Sequence, residues 1–314
     1  MGRGMKTVWS AVRQIVSIGR EAAGMSREHG LSRGLYWFLV RNVVSLRLDY
    51  NNARKSRYAM NGFRLAEDGF AELKPMSPEL CDQMVNHFLK HAKVERPVDS
   101  LGAYFEAWRG TGVVRPPGVS IAQQGELMGA LLAESGLLGI VEEHLGIRRQ
   151  DMLVSATIDT LVNISTQRRL VNNYDDALEI HRDIDSFKFV KVFFYLNDVV
   201  EGQGHHEVYL GSHRELPLGL RLLKRYRAED LAAHGVPARL QKVVGSRGYG
   251  FIENTTTFHR GTVPSKGDRI ILSLSFNDAH SASKLYDQGY YPLPATGSVP
   301  GAGSVRAPQP ASTT

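Results

Sequence analysis

His181-Arg-Asp-Ile-Asp-Ser-Phe-Lys-Phe-Val-Lys-Val-Phe-Phe-Tyr195 is the stretch on which the reading of this 314-residue chain turns. Its second half alternates strictly. Val190, Val192, Phe194 and Leu196 fall on one face, while Lys191, Phe193, Tyr195 and Asn197 fall on the other. A period of two with β-branched and aromatic residues predicts a strand, its apolar face packed under helices and its mixed face lining an interior. Extended backbone also puts His181 and Asp183 on one face. A helical pairing of His181 with Asp185 conflicts with the strand that follows.

Working outward, residues 152–164, 187–197, 207–210, 248–252 and 269–276 all read as extended. Many strands with long connections between some of them predict a mainly β fold, a jelly-roll or related barrel with helices outside. Helical patterns occupy 77–92 and, broken by glycines, 124–145, and a helical interruption is expected at 219–235. Arg115-Pro-Pro-Gly118 reads as a loop. A boundary near Gly62 divides a basic helical N-terminal extension (1–61) from an expected catalytic body (62–291, with its barrel core at about 150–280). A Pro-, Gly- and Ser-rich tail (292–314) is expected to be disordered.

The net charge of +6 is concentrated in the extension, because residues 1–60 carry 11 Lys/Arg against Glu21, Glu28 and Asp49. The rest of the chain is slightly acidic, which argues against specific nucleic-acid binding by the body. Two readings of the extension stay open. Its apolar residues at helical spacing (Val8, Trp9, Val12, Ile15, Val16) can pack on the body or on another subunit, or lie on an anionic membrane surface. Leu35-Tyr-Trp-Phe-Leu-Val40 is too short and interrupted to span a bilayer, and no continuous apolar signal segment precedes it. The single cysteine, Cys81, fits a reducing compartment and a packed helix position. A cytoplasmic protein, peripheral at a membrane in one reading, is the expectation.

His259 follows Asp183 by 76 residues in Phe258-His-Arg260, and Arg269 follows ten residues later. Two imidazoles and one carboxylate on one face of a metal, with other positions open, are the ligand set of non-heme Fe(II) oxygenases. Strand alternation puts Arg269, Ile271, Ser273 and Ser275 on one face, against the apolar Ile270, Leu272, Leu274 and Phe276. A guanidinium turned into a barrel is suited to a carboxylate, which it grips with two parallel hydrogen bonds.

Between these landmarks lies Gly211-Ser-His213, reached through Gly202-Gln-Gly204 and an extended Glu207–Leu210. The ordered set over residues 150–280 resembles the phytanoyl-CoA dioxygenase family. That resemblance implies His181, Asp183 and His259 as iron ligands and Arg269 as partner of the distal carboxylate of 2-oxoglutarate. It implies a double-stranded β-helix (cupin-like) core and Fe(II)/2-oxoglutarate-dependent dioxygenase activity, with ascorbate as reductant in vitro. The products would be succinate and CO2, with hydroxylation of an aliphatic carbon in a small-molecule or lipid-linked substrate. Asp183 favours hydroxylation over halogenation, since related halogenases have a small residue there; desaturation and cyclisation stay open. Tyr195, or alternatively Lys191, is a further candidate contact to 2-oxoglutarate, and Asn163 and Gln167 are possible helpers. The rival cluster His205, His206 and His213 is disfavoured as a metal site because adjacent strand residues point to opposite faces, and His213 is expected to brace its turn. An inert or 2-oxoglutarate-independent metal-binding barrel acting as a ligand-binding module is the alternative.

Overall fold

A computed structural model describes residues 65–164, 178–186, 188–214, 216–217, 220, 225–236, 239–279 and 289–293. The extension, the tail beyond 293 and Gln167 lie outside the described residues. Along the chain come α1 (Leu65–Asp68), β1 (Phe70–Leu73), α2 (Pro78–His91), α3 (Leu101–Arg109), β2 (Val119–Ser120), α4 (Gly125–Ser135), α5 (Leu137–Leu145) and β3 (Met152–Leu161). They are followed by β4 (Ile180–His181), β5 (Phe189–Tyr195), β6 (His206–Tyr209), β7 (Arg225–Tyr226), α6 (Ala228–Ala233), β8 (Leu240–Val243), β9 (Gly250–Glu253), β10 (His259–Gly261), β11 (Arg269–Asp278) and β12 (Tyr291–Pro292).

The strands form two antiparallel sheets. The larger runs β1-β9-β5-β11-β3-β12, with β2 also on β3, and the smaller runs β7-β4-β10-β6-β8. From β3 to β6 and again from β8 to β11, strands consecutive in sequence alternate between the two sheets, the crossing pattern of a jelly roll. β5 and β11 pair with Ile271 opposite Tyr195 and Ser275 opposite Lys191, so the two mixed faces coincide and so do the two apolar ones. The apolar side, including Val190, Val192, Phe194, Leu272, Leu274 and Phe276, packs against Leu80, Met84 and Phe88 of α2 and Leu131 and Val141 of α4 and α5. Ser77 caps α2 by accepting from Leu80 N–H at 3.2 Å, with Pro78 in its first turn. Gly136, at φ 61°, ends α4 and starts α5, which explains the glycine-broken helical pattern over 124–145.

One expectation fails. The helix read over 219–235 is not continuous: Leu220 is helical, β7 then interrupts it, and α6 follows. Tertiary burial overrides the local pattern: Tyr226 pairs with Ile180 across β7–β4, and both join Leu220, Leu231 and Phe258 in a small core behind the second sheet. The strand carrying His181 is also shorter than read, since β4 stops at His181. No described helix is long and apolar enough to cross a membrane.

Leu272 is fully buried between sheet and helices. Leu272→Ala should lower unfolding free energy by about 2–5 kcal/mol in urea titrations through lost transfer energy and a residual cavity; a loss under about 1 kcal/mol would contradict the packing.

Candidate metal centre

Three chain segments converge at the mouth of the small sheet. β10 pairs with β4 at the single register His259↔His181, which brings the ring centroids to 4.2 Å. Asp183, just past β4, is fixed by its N–H donating to Thr255 O at 2.8 Å, in the segment leading into β10. His181 Nε2 then lies 3.8 Å from Asp183 Oδ1, and His259 Nε2 lies 3.6 Å from Asp183 Oδ2. These residues are the one group of potential metal ligands found among the described residues, with one donor atom from each within 4.8 Å of the others. The rival histidines form no such group.

Hydrogen bonding selects which imidazole nitrogen faces the centre. His181 Nδ1 sits 2.7 Å from Glu179 O, and His259 Nδ1 sits 2.9 Å from Thr257 O. A carbonyl only accepts, so both Nδ1 atoms carry the proton and both Nε2 atoms present lone pairs toward Asp183. This donor set fits a divalent metal such as Fe(II). Burial, aided by the neighbouring His181, lowers the pKa of His259 to about 4, so the ring is neutral near pH 7 and able to ligate. Burial opposes ionisation of Asp183, but Lys191, His259 and His181 together hold its carboxyl well below the usual range.

The Gly211-Ser-His213 turn braces this centre from behind. Ser212 Oγ accepts from Phe258 N–H at 2.8 Å, immediately before His259. His213 reaches Ala66 O at 3.2 Å and Thr257 Oγ1 at 3.3 Å. Its bracing extends from its own turn to the approach of β10. The turn after α1 must also come close: Gly69, at φ 75°, has no room for a side chain, since a Cβ would stand 2.2 Å from Thr257 Oγ1.

The site opens into a cavity of about 310 Å³ whose lining includes His181, Asp183, His259, Lys191, Phe193 and Arg269. Arg269 is mostly buried, and its guanidinium donates to Gly204 O. Tyr195 is placed differently. Its hydroxyl donates to Val243 O at 2.8 Å and accepts from His206 N–H at 3.2 Å, tying the two sheets together beneath the cavity. Burial pushes its pKa up to about 12. The cofactor contact expected of Tyr195 would need a hydroxyl whose proton is already committed to the backbone. Asn163, whose N–H donates to Asp268 Oδ1, is not among the lining residues.

Three polar groups were not assigned these places by the sequence reading. Lys191 Nζ bridges Asp183 Oδ2 at 2.7 Å and Asp185 Oδ2 at 3.0 Å. Glu253, fully buried at the end of β9, lies 2.8 Å from His206 Nε2 and 3.4 Å from His259 Nδ1. Burial pushes its carboxyl up to about 7, and burial beside Arg269 lowers His206 to about 3. A carboxylate closing the otherwise apolar Gly250-Phe-Ile-Glu253 was the available signal for Glu253; alternation puts it with Phe251, facing the interior.

No protein-family model and no curated protein matches this chain. Solved structures do. HygX from Streptomyces hygroscopicus, with nickel and 2-oxoglutarate bound, aligns at 17% identity over 68% of this chain and 84% of its own, with a TM-score of 0.45. The non-heme α-ketoglutarate-dependent epimerase SnoN from nogalamycin biosynthesis aligns at 16% identity over 81% and 92%, with a TM-score of 0.48. AviO1 from Streptomyces viridochromogenes Tue57 aligns at 17% identity over 68% and 92%, with a TM-score of 0.43. The jelly-roll assignment rests on the strand order, and function is argued from the residues of the site.

The ammonium on Asp183 should compete electrostatically with a divalent ion. Lys191→Met is expected to tighten Mn(II) binding by roughly tenfold in calorimetric titrations. Weaker binding in this variant would instead make Lys191 a support that holds Asp183 in place.

Proposed function

We propose that this chain is an Fe(II)- and 2-oxoglutarate-dependent dioxygenase that hydroxylates an aliphatic carbon of a small molecule. The observation that supports it best is the convergence of His181 Nε2, His259 Nε2 and the Asp183 carboxylate at the wall of a cavity that Arg269 also lines. The three ligands would leave other positions of the metal open. When bound there, Fe(II) with 2-oxoglutarate supplies activation of O2 coupled to release of succinate and CO2.

The chain's own contribution is placement and exclusion of water. His181 and His259 are held by backbone carbonyls in the tautomer that ligates. Arg269, permanently charged and buried, would take the distal carboxylate of 2-oxoglutarate, a charge-assisted pairing strengthened by the low local dielectric. Phe193, Leu161, Leu178 and Ile271 form the apolar lining, which limits water around the reacting groups. Asp183 as a third protein ligand favours hydroxyl transfer over halogenation.

Succinate formation from 2-oxoglutarate should require Fe(II) and ascorbate and should vanish in His181→Ala. Arg269→Ala should weaken 2-oxoglutarate binding at least about tenfold, the loss of a charge-assisted pair, while leaving Mn(II) affinity intact. Unchanged cofactor affinity in Arg269→Ala would remove Arg269 from the site, and a folded protein that binds no 2-oxoglutarate anaerobically would refute the reading.

A further inference from the structure

We infer that the inner wall formed by β3 and β11 is a substrate subsite for a neutral polyhydroxylated ring, such as a glycoside or cyclitol, and not for an acyl chain. The inference deepens the oxygenase reading above and rests on it. Alternation along β3 turns Val154, Ala156 and Ile158 into the main core and Ser155, Thr157 and Asp159 into the cavity. The facing register pairs Ser273 with Thr157 and Ser275 with Ser155. Two adjacent strands thus present a continuous stripe of short hydroxyl side chains where a small barrel ordinarily fills its interior with bulk.

The hydrogen-bonding capacity of the stripe is only partly used within the protein. Ser273 Oγ donates to Asp159 Oδ2 at 3.2 Å, and Arg115 reaches Asp159 Oδ1 at 3.3 Å from the Pro-Pro loop. Ser275 Oγ accepts from Asn277 Nδ2 at 3.0 Å. The hydroxyls of Ser155 and Thr157 have no hydrogen-bond partner among the described residues, yet both face the cavity. Each can donate and accept once or more. A ring carrying several hydroxyls matches that pattern, since every cavity-facing group finds a partner. An acyl chain would strip water from two hydroxyls and an ion pair and return nothing, a penalty that polar pockets use to reject apolar ligands.

Charge and size narrow the class further. Asp159 is paired with Arg115, and Arg269 at the start of β11 is the cation assigned to 2-oxoglutarate, so the hydroxyl stripe itself offers an ionic substrate no free charge. At about 310 Å³ the cavity is at the small end for ligand sites, and it must hold 2-oxoglutarate as well. A single ring is the unit that fits beside the cofactor; anything larger extends outward past Arg115.

Saturation-transfer NMR on the full chain loaded with Zn(II) and 2-oxoglutarate tests this, with myo-inositol and methyl α-glucopyranoside as polyol probes and decanoate as the acyl probe. At least one polyol should give a saturable signal, and decanoate none. Thr157→Val, which keeps volume and β-branching, and Ser155→Ala should each weaken that polyol's binding by roughly tenfold, the equivalent of one lost hydrogen bond, while the 2-oxoglutarate signal stays unchanged. Binding of decanoate alone, binding of none of the three probes, or polyol binding indifferent to both variants overturns the subsite. Loss of the 2-oxoglutarate signal in the unsubstituted chain would instead bring down the cofactor reading itself.

Discussion

The site depends on one cross-strand contact, the pairing of His259 with His181 where β10 meets β4. Antiparallel pairing is tolerant of sequence but not of register, because a slip of one residue turns every side chain to the opposite face. Here the register is held from several sides. Asp183 N–H donates to Thr255 O, Ser212 Oγ accepts from Phe258 N–H, and Tyr226, Ile180 and Phe258 pack together behind the sheet. Release of any one would let an imidazole rotate or translate away from Asp183, and with it the only shared position for an ion among the described residues.

Around that pairing the protein concentrates buried charge. Glu253 and Arg269 are buried, and Asp183 and Lys191 are half-buried, gathered with three histidines around one cavity. Such a gathering is costly unless each charge is paired or bound by a metal. Lys191 compensates Asp183 and Asp185, and Glu253 is shared between His206 and His259. The result is a cavity with charge and aromatic rings at its metal-facing end and the short hydroxyl side chains of Ser155, Thr157, Ser273 and Ser275 along its β3–β11 wall. On the proposed reading, one end would serve the oxidant and the other the molecule oxidised.

How much of this was legible in the sequence follows from the range of the signals. Strict alternation over 190–197 and 269–276 revealed the strands and their inner and outer faces, because a period of two is local. The same alternation foresaw that Arg269 would line the interior with Ser273 and Ser275. The helical patterns over 77–92 and, broken by glycines, over 124–145 were equally local. Glu253 offered only the signal of a carboxylate closing an apolar strand, and its role was not legible, since that comes from His206 and His259 on two other strands. Lys191 was seen to face inward, but its bridge to Asp183 and Asp185 depends on how the chain turns after β4. The helix expected over 219–235 is broken in its middle because Tyr226 pairs with Ile180 forty-six residues earlier, a contact no window of helical length contains.

The central claim is that one cavity wall binds iron through His181, Asp183 and His259 while Arg269 holds 2-oxoglutarate beside it. An anaerobic crystal structure of the full chain with Fe(II) and 2-oxoglutarate tests it most directly. The account predicts iron on His181 Nε2, His259 Nε2 and an Asp183 oxygen, with the distal carboxylate of 2-oxoglutarate on the Arg269 guanidinium. Iron bound elsewhere, or 2-oxoglutarate whose distal carboxylate makes no contact with Arg269, would contradict it.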